Sequence, residues 1–166
     1  SDKAISIAKK KNVSYYKRDK YFASSKCTNS EFWSNVASTT ESKYILFTHC
    51  TNPIISVRTY EKSIKSFFSN KQSFNSLNSV SDVKEFLFLN KKPLNFKLNK
   101  APNSQDLPNI FKLNFAISIL ETDYMRRKKT LIGSKPFFYK LDQIEGHDIN
   151  TKYEFEFAKY LFKISK

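Results

Sequence analysis

Apolar and polar residues alternate most regularly in residues 110–120, IFKLNFAISIL. Side chains on a strand point alternately to opposite faces, so a period of two predicts a long half-buried strand here. The predicted buried face carries Phe111, Leu113, Phe115, Ile117 and Ile119. Shorter alternations and apolar runs predict further strands at residues 43–47, 54–57, 94–98 and 149–157.

Helical spacing of apolar residues predicts three helices, over residues 14–23, 30–38 and 80–89. Two other stretches lack an apolar period. Residues 68–79 are rich in Ser and Asn, and residues 99–109 contain two prolines. Both stretches are therefore predicted to be exposed loops.

The order of these elements predicts the fold class. Strands and helices interleave, and the strands alternate as one-sided strands do, which favours an α+β fold. We expect a mainly antiparallel twisted sheet with helices packed on one face. The length of 166 residues suits a single domain over 1–166, in which residues 1–13 form a basic N-terminal arm.

The chain is strongly basic. Its 29 Lys and Arg residues exceed its 15 Asp and Glu residues, which gives a net charge of +14. Lysines that neutralise phosphates release condensed counterions, so this surplus favours a polyanion partner. An anionic membrane surface and simple solubility are the alternatives. No apolar run approaches the roughly 20 residues of a membrane span. The abundance of Lys, Asn and Phe beside only 2 Gly is typical of an AT-rich coding sequence.

Two basic segments contain predicted nucleic-acid contacts. Residues 9–22 interleave cations with tyrosines, which can stack on unpaired bases, and residues 123–130 contain four consecutive cations. The predicted RNA-binding residues are Lys9, Lys10, Lys11, Tyr15, Tyr16, Lys17, Arg18, Arg126, Arg127, Lys128 and Lys129. The alternatives are an amphipathic helix that buries the tyrosines and a solvated hairpin at the second segment.

Signatures of catalysis are few. His49 and Cys50 are neighbours, and neighbouring residues on a strand point to opposite faces, so they do not form a nucleophile–base pair. His147 lies in the sequence EGHD, where a turn with Gly146 as its permissive residue explains the pattern better than a metal site. The scarcity of glycine argues against a phosphate-cradling loop. The sequence therefore predicts no catalytic residue, no metal and no cofactor.

Four segments follow one another in a suggestive order: YYKRD (15–19), NPIISVRTYEKSIKSF (52–67), NFAISILE (114–121) and QIEGHDINT (143–151). The segment VKEFLFL (83–89) lies between the second and the third. Together they resemble the family of large-subunit ribosomal protein five, the 5S-rRNA-associated protein of the central protuberance. The chain is similar to a divergent, mitochondrial-type member of that family.

The resemblance implies a structural, non-enzymatic constituent of the large ribosomal subunit that acts in translation in the mitochondrial matrix. The implied partners are rRNA of the central protuberance, neighbouring large-subunit proteins, P-site tRNA and a small-subunit head protein, with no membrane. The implied rRNA contacts are Asn52, Ser56, Arg58, Lys62, Ser63 and Lys65. The implied tRNA-facing loop carries Phe68, Lys71 and Phe74, and loop 99–109 would form an intersubunit bridge.

Two other functions are open at this point. A metal-dependent nuclease of an AT-rich virus or organelle needs convergent acids, and Asp142, Glu145 and Asp148 are the one candidate cluster. A basic accessory subunit of a membrane complex would also fit the charge.

Overall fold

A computed structural model describes residues 1–164 of the chain. The helices are α1 (Asp2–Lys10), α2 (Asn29–Ser38), α3 (Val57–Asn70), α4 (Thr122–Lys128) and α5 (Lys152–Ile164). The strands are β1 (Tyr44–Phe47), β2 (Ser76–Val83), β3 (Phe88–Leu89), β4 (Lys92–Pro93), β5 (Ile110–Glu121) and β6 (Pro136–Lys140). The class is α+β, as predicted.

The main sheet has the strand order β1-β5-β2-β6. Strand β5 runs antiparallel to both β1 and β2, whereas β6 runs parallel to β2. Two of the three pairings are therefore antiparallel, and β1, β2 and β6 point in the same direction. The carboxyl ends of these three strands meet at one edge of the sheet, next to the start of β5. We call this edge the carboxyl edge.

Helices cover both faces of the sheet, not the single face that was expected. On one face, Leu120 of β5 packs with Ala37 of α2 and Met125 of α4. On the other face, Ile117 and Ile119 of β5 pack with residues of α3. The neighbouring residues Ile119 and Leu120 pack in apolar clusters on opposite faces of the sheet, so β5 is buried on both sides near its end.

A bulge in β5 breaks the alternation that the sequence showed. Asn78 pairs with Ser118 and Val80 with Leu113, so residues 114–117 of β5 lie opposite the single residue Ser79. Phe115 within the bulge has a φ of 53°, an uncommon conformation for a bulky residue. Its ring packs with Trp33 of α2, on the face opposite to Ile117 and Ile119. The expected single face from Phe111 to Ile119 is therefore wrong.

Polar side chains fill the seam between β2 and β5. Ser79 Oγ donates to Asn114 Oδ1, and Asn114 Nδ2 donates to Ser81 Oγ at 3.0 Å. Asn114 Oδ1 also accepts from the Ala116 amide at 3.2 Å, and Ser79 Oγ accepts from the Ile117 amide at 2.8 Å. These bonds satisfy the backbone of the bulge, which explains why polar side chains are buried there.

The buried serines and asparagines of β2 also correct the predicted loop 68–79. Residues 57–70 are helical and residues 76–79 are buried strand, so only the short link between them is a loop. Asn78 Nδ2 donates to Ser118 Oγ and to the Leu131 carbonyl. The polar composition favoured a loop because the hydrogen-bond partners of these side chains lie far away along the chain and are not evident from the sequence.

Three further predicted elements are wrong, at residues 54–57, 149–157 and 80–89. Residues 54–57 precede and begin α3 rather than forming a strand, because Ser56 accepts from the Thr59 amide and caps that helix. Residues 149–157 enter helix α5, where Thr151 and Glu154 cap each other's amides. Residues 80–89 contain the end of β2 and an extended excursion, not a helix.

That excursion ends in a small hairpin. Strands β3 and β4 are joined by Asn90 and Lys91, which both have positive φ, as a tight two-residue hairpin turn requires. Asn95 fixes the hairpin base by accepting from the Leu87 amide and donating to the Glu85 carbonyl. The predicted strand at 94–98 is therefore absent from the described residues, apart from a single bridge between Lys97 and Lys100. Residues 99–109 contain one short 3-10 turn, and Leu107 among them is buried.

The remaining predictions concern the first half of the chain. Residues 30–38 and 43–47 form α2 and β1 as expected, and the reciprocal bonds of Thr28 and Glu31 cap α2. Residues 14–23 are irregular except for a 3-10 turn at Tyr21–Ala23. Helix α1 occupies most of the basic arm at 1–13.

Candidate functional site

A polar cavity of about 420 Å³ opens at the carboxyl edge. It lies between the end of β2, the start of β5 and the loop that follows β6. Its lining residues are Ser81, Asp82, Glu85, Lys112, Leu113, Asn114, Gln143, Gly146, His147, Asp148, Asn150 and Glu154. All except Leu113 and Gly146 have polar side chains. The crevice outside the carboxyl ends of parallel strands is where ligands bind in open α/β sheets, and the volume falls in the range of small-molecule sites.

The wall of this cavity is the loop after β6, residues 142–150, which we call the cavity loop. Its first turn is closed by Asp142, whose Oδ1 accepts from the amides of Ile144 and Glu145. Gly146 follows, and a Cβ there would lie 2.6 Å from Ser81 Oγ and 2.9 Å from the Asp142 carbonyl. Its φ is not positive, so close approach to β2, and not the permissive backbone that was expected, requires glycine.

The carboxylates around the cavity have different tasks. Asp82 forms an ion pair with Lys140, at 2.6 Å between Oδ2 and Nζ. Glu154 Oε2 accepts from the amides of Asn150 and Thr151 at the start of α5. The bonds from the Asn150 amide and the Thr151 side chain hold the pKa of Glu154 below its ordinary value.

Asp148 is the half-buried carboxylate that is not used in an ion pair or a helix cap. Its Oδ2 accepts one hydrogen bond, from Asn150 Nδ2 at 3.0 Å. Because ordinary carboxylates accept several hydrogen bonds, Asp148 retains capacity to bind hydroxyl or ammonium groups of a ligand. Lys112, from β5, contributes a cation to the same cavity.

Two polar atoms on the loop after β1 are buried without a hydrogen-bond partner among the described residues. They are His49 Nε2 and Asn52 Oδ1. The same Asn52 donates through Nδ2 to the His147 carbonyl at 3.1 Å and so links this loop to the cavity loop. Buried polar atoms are nearly always paired in proteins, so these two atoms are exceptions among the described residues, and neither residue lines the polar cavity.

Residues expected to bind RNA do not form one surface. Lys9, Lys10 and Lys11 end α1, and Lys9 Nζ lies 5.6 Å from the centroid of the Tyr15 ring. Tyr15 and Tyr16 are exposed, as a stacking role requires, and are not buried in a helix. Lys17 pairs with Asp2, and Arg18 lies over the Phe32 ring. Contact of these residues with RNA stays a prediction.

The group on and before α3 divides between surface and interior. Arg58, Lys62 and Lys65 are exposed on the helix. Ser63 is fully buried and donates to the Tyr60 carbonyl, and only 4% of Asn52 is exposed. Ser56 serves as the helix cap. Buried and capping side chains of this kind are structural, so the expected rRNA contacts of Asn52 and Ser63 are wrong.

The four consecutive cations belong to α4 and its end, not to a hairpin. Arg126 donates to the Ala37 carbonyl and pairs with Asp123, so it joins α4 to α2. Arg127, Lys128 and Lys129 are exposed, and Lys129 ends the helix with a φ of 53°. Helix α4 follows the end of β5, so this cluster lies at the sheet edge opposite the polar cavity.

The expected tRNA-facing residues also lie at the edge opposite the polar cavity. Phe68 packs edge-to-face on Tyr44, and Phe74 packs on Phe137. Lys71 and Phe74 line a second cavity of about 310 Å³ with Tyr44 and Tyr124. Packing against the domain itself accounts for both phenylalanines.

The described residues contain neither a cluster of metal ligands nor a helix able to span a membrane. Within residues 1–164, no three His, Cys, Asp or Glu side chains converge so that they could hold a metal ion. The predicted acid cluster is dispersed, because Asp142 closes a turn and Glu145 binds the start of α3. In the same part of the chain, none of the helices is long and apolar enough to span a membrane.

Comparison with known proteins identifies similar folds but no close relative. The sequence matches no protein-family model and no curated protein sequence. The bifunctional IspDF of Campylobacter jejuni superposes with a TM-score of 0.62 and 12% identity, over 92% of this chain and 39% of that one. This chain therefore spans less than half of that protein.

Two more structures are similar. The 4-diphosphocytidyl-2C-methyl-D-erythritol synthase of Anaerococcus prevotii has a TM-score of 0.59 and 10% identity, over 82% of this chain and 67% of that one. A CMP:2-keto-3-deoxy-manno-octonic acid synthetase in complex with CTP has a TM-score of 0.54 and 11% identity, over 84% and 69%. At these identities the likeness establishes the fold alone.

This fold corrects the ribosomal interpretation. The chain has the fold of these three structures, so its placement in the ribosomal protein five family is wrong. The structural role in the large subunit and in translation is overturned with it, as are the partners rRNA, tRNA and ribosomal proteins. The expectation of a non-enzyme is overturned because the similar structures are enzymes. The comparisons do not support a nuclease either.

Sequence reasoning missed most residues of the polar cavity. Ser81, Lys112 and Asn114 were assigned to a helix or to the solvent face of a strand, and Asp148 only to the unsupported acid cluster. One usable signal was Gly146 in the sequence EGHD, because a glycine permits close approach of the backbone to another group. The remaining residues meet only through the sheet order.

Proposed function

We propose that this chain forms the sheet-and-helix core of a nucleotidyltransferase and that the polar cavity at the carboxyl edge binds the reactants. The single observation that carries the proposal is the location of a cavity with mostly polar lining at this edge. The fold supports it, because two of the similar structures are a synthase and a synthetase whose names include a phosphorylated cytidine group. We therefore infer a cytidine nucleotide as the donor substrate.

The lining also suits the second reactant. Amide, carboxylate, hydroxyl and imidazole groups line the cavity, so a ligand with many hydroxyl groups would find hydrogen-bond partners there, whereas an apolar ligand would leave these groups unpaired. The names of the similar proteins contain an erythritol and an octonic acid. The proposed acceptor is accordingly a small polyhydroxylated compound.

The reaction would be transfer of the nucleotidyl group. An acceptor hydroxyl oxygen attacks the α-phosphorus of CTP, a new P–O bond forms, and the bond to the bridging oxygen breaks so that pyrophosphate leaves with the electron pair. The hydroxyl proton passes to a carboxylate and then to solvent. Asp148 is assigned this contact because Asp82 and Glu154 are occupied by Lys140 and by the cap of α5, and because Glu85 is exposed whereas Asp148 is half-buried. Lys112 contributes positive charge near the phosphates.

Isothermal titration with MgCTP tests this proposal. Wild-type protein should bind MgCTP more tightly than MgATP or MgGTP, and Lys112→Gln should weaken the binding about tenfold through loss of one charged contact of roughly 1.4 kcal/mol. Lys135→Gln, an exposed lysine outside the cavity, is the matched control and should bind as the wild type does. Equal weakening in both variants, or no binding of any nucleotide, would contradict the proposal.

The mitochondrial location stays a prediction that none of these observations tests.

A further inference from the structure

The cavity loop supplies five of the twelve residues that line the polar cavity, including Asp148. It has no helix or strand of its own, so its shape depends on bonds to other elements. Loops of this kind are mobile unless their backbone and side chains are anchored. The position of Asp148 at the cavity therefore depends on the contacts that anchor this loop.

Two side chains of this loop reach helices among the described residues: the His147 ring lies 3.0 Å from the Glu154 carbonyl of α5, and Glu145 anchors the loop to α3. Glu145 Oε1 accepts from the Ser56 amide at 3.0 Å, and its Oε2 accepts from Thr59 Oγ1 at 2.6 Å. Both partners lie in the first turn of α3, a helix of 14 residues that starts at the carboxyl edge. The positive end of the helix dipole favours a carboxylate at this place.

Two backbone contacts on either side of Asp148 complete the anchorage. The His147 carbonyl accepts from Asn52 Nδ2, and the Ile149 amide donates to the Thr51 carbonyl at 3.0 Å. Both bonds lead to the loop between β1 and α3, which Glu145 ties to the cavity loop from the other side. His147 and Ile149, the two neighbours of Asp148, are therefore both bonded to the loop between β1 and α3. Glu145 bonds the start of α3, where that loop ends, to the cavity loop.

We propose that Glu145 is a positioning residue, which keeps Asp148 directed into the cavity by binding the first turn of α3. The role in ligand binding rests on the proposed function, whereas the immobilisation of the loop does not. Loss of the carboxylate would release the loop from α3, weaken the Ile149–Thr51 bond and leave Asp148 without a fixed direction.

The test combines amide hydrogen exchange with titration of MgCTP. In Glu145→Ala, the Ile149 amide should exchange at least tenfold faster, and MgCTP should bind about tenfold more weakly. Glu145→Gln should restore both values to within about threefold of the wild type, because its amide can still accept from Ser56 and donate to Thr59. Thr59→Val, which removes one of the two bonds, should lie between them. Glu156→Ala, which removes a carboxylate from an exposed ion pair on α5, is the control.

Each outcome decides one of the two proposals. Unchanged exchange at Ile149 in both Glu145→Ala and Thr59→Val overturns the positioning role. Faster exchange with unchanged MgCTP affinity overturns the link between positioning and binding. If wild-type protein binds no nucleotide while the exchange pattern is as expected, the proposed function fails and the anchorage by Glu145 is upheld.

Discussion

Buried polar residues determine the shape of this molecule at the scale of single side chains. Asn114 illustrates this, because one side chain accepts from the Ala116 amide and from Ser79 and donates to Ser81. Only 3% of Asn114 is exposed, so water has little access to these bonds. The same residue lines the polar cavity, and the site and the bulge in β5 therefore depend on a common set of hydrogen bonds.

Replacement of Asn114 by Ala tests this dependence. The change leaves the Ala116 amide and two serine hydroxyls without their partner in a buried position, so we expect a loss of about 1–3 kcal/mol in the free energy of unfolding. Urea denaturation followed by circular dichroism measures it. Asn103→Ala, at an exposed turn, is the matched control and should change stability by less than about 0.5 kcal/mol. Equal effects of the two substitutions would show that the buried bonds are not important for stability.

At the scale of elements, the sequence predicted some parts of the fold correctly and not others. Strand β5 and helix α2 were predictable because each carries its own period and, for α2, its own capping pair, Thr28 and Glu31. Strand β2 was not, because its polar side chains are satisfied by β5, more than thirty residues away. Helix α5 was mistaken for a strand because Tyr153, Phe155 and Phe157 alternate in sequence, although their rings are substantially exposed.

The candidate site was less predictable than the fold. Its residues come from β2, β5, the cavity loop and α5, and only the sheet order brings these segments together. The bulge at Phe115, which turns Asn114 toward Ser79 and Ser81, left no sign in the alternation of residues 110–120. The four cations at 126–129 were prominent in sequence but lie at the opposite edge.

The start of α5 should respond to acid. Because the bonds from Asn150 and Thr151 hold the pKa of Glu154 below its ordinary value of 4.5, the ionised carboxylate favours the folded state. This contribution is complete above pH 4.5 and is lost as the pH falls through the depressed pKa of the folded state. We expect the amide NMR signals of Asn150 and Thr151 to move with a midpoint below 4.5.

Glu154→Gln provides the control for this titration, since glutamine has no proton to gain over the same range. The two amide signals should then lose their acid transition, and the decline in stability below pH 4.5 should become shallower in urea denaturation. A midpoint above 4.5 in the wild type, or an identical decline in the variant, would contradict the assigned role of Glu154.

At the scale of the whole molecule, the densest cluster of cations and the polar cavity are separated. The exposed cations Arg127, Lys128 and Lys129 follow β5 at one edge of the sheet, whereas the polar cavity lies at the other. Exposed charges act over about 8 Å at physiological salt, so the net charge of +14 says little about the ligand of the cavity. The net charge favoured a polyanion scaffold, whereas the ligand that we propose for the cavity is a small polar reactant.

The most direct test of the account is to map MgCTP on the protein by amide NMR shifts. We expect saturable changes in amide chemical shift to concentrate in residues of the cavity wall, above all Lys112, Gly146 and Asp148. The amide signals of Arg127, Lys128 and Lys129 should not shift. Shifts confined to those three cations, or no saturable shift at the cavity, would contradict the claim that the carboxyl edge binds a nucleotide.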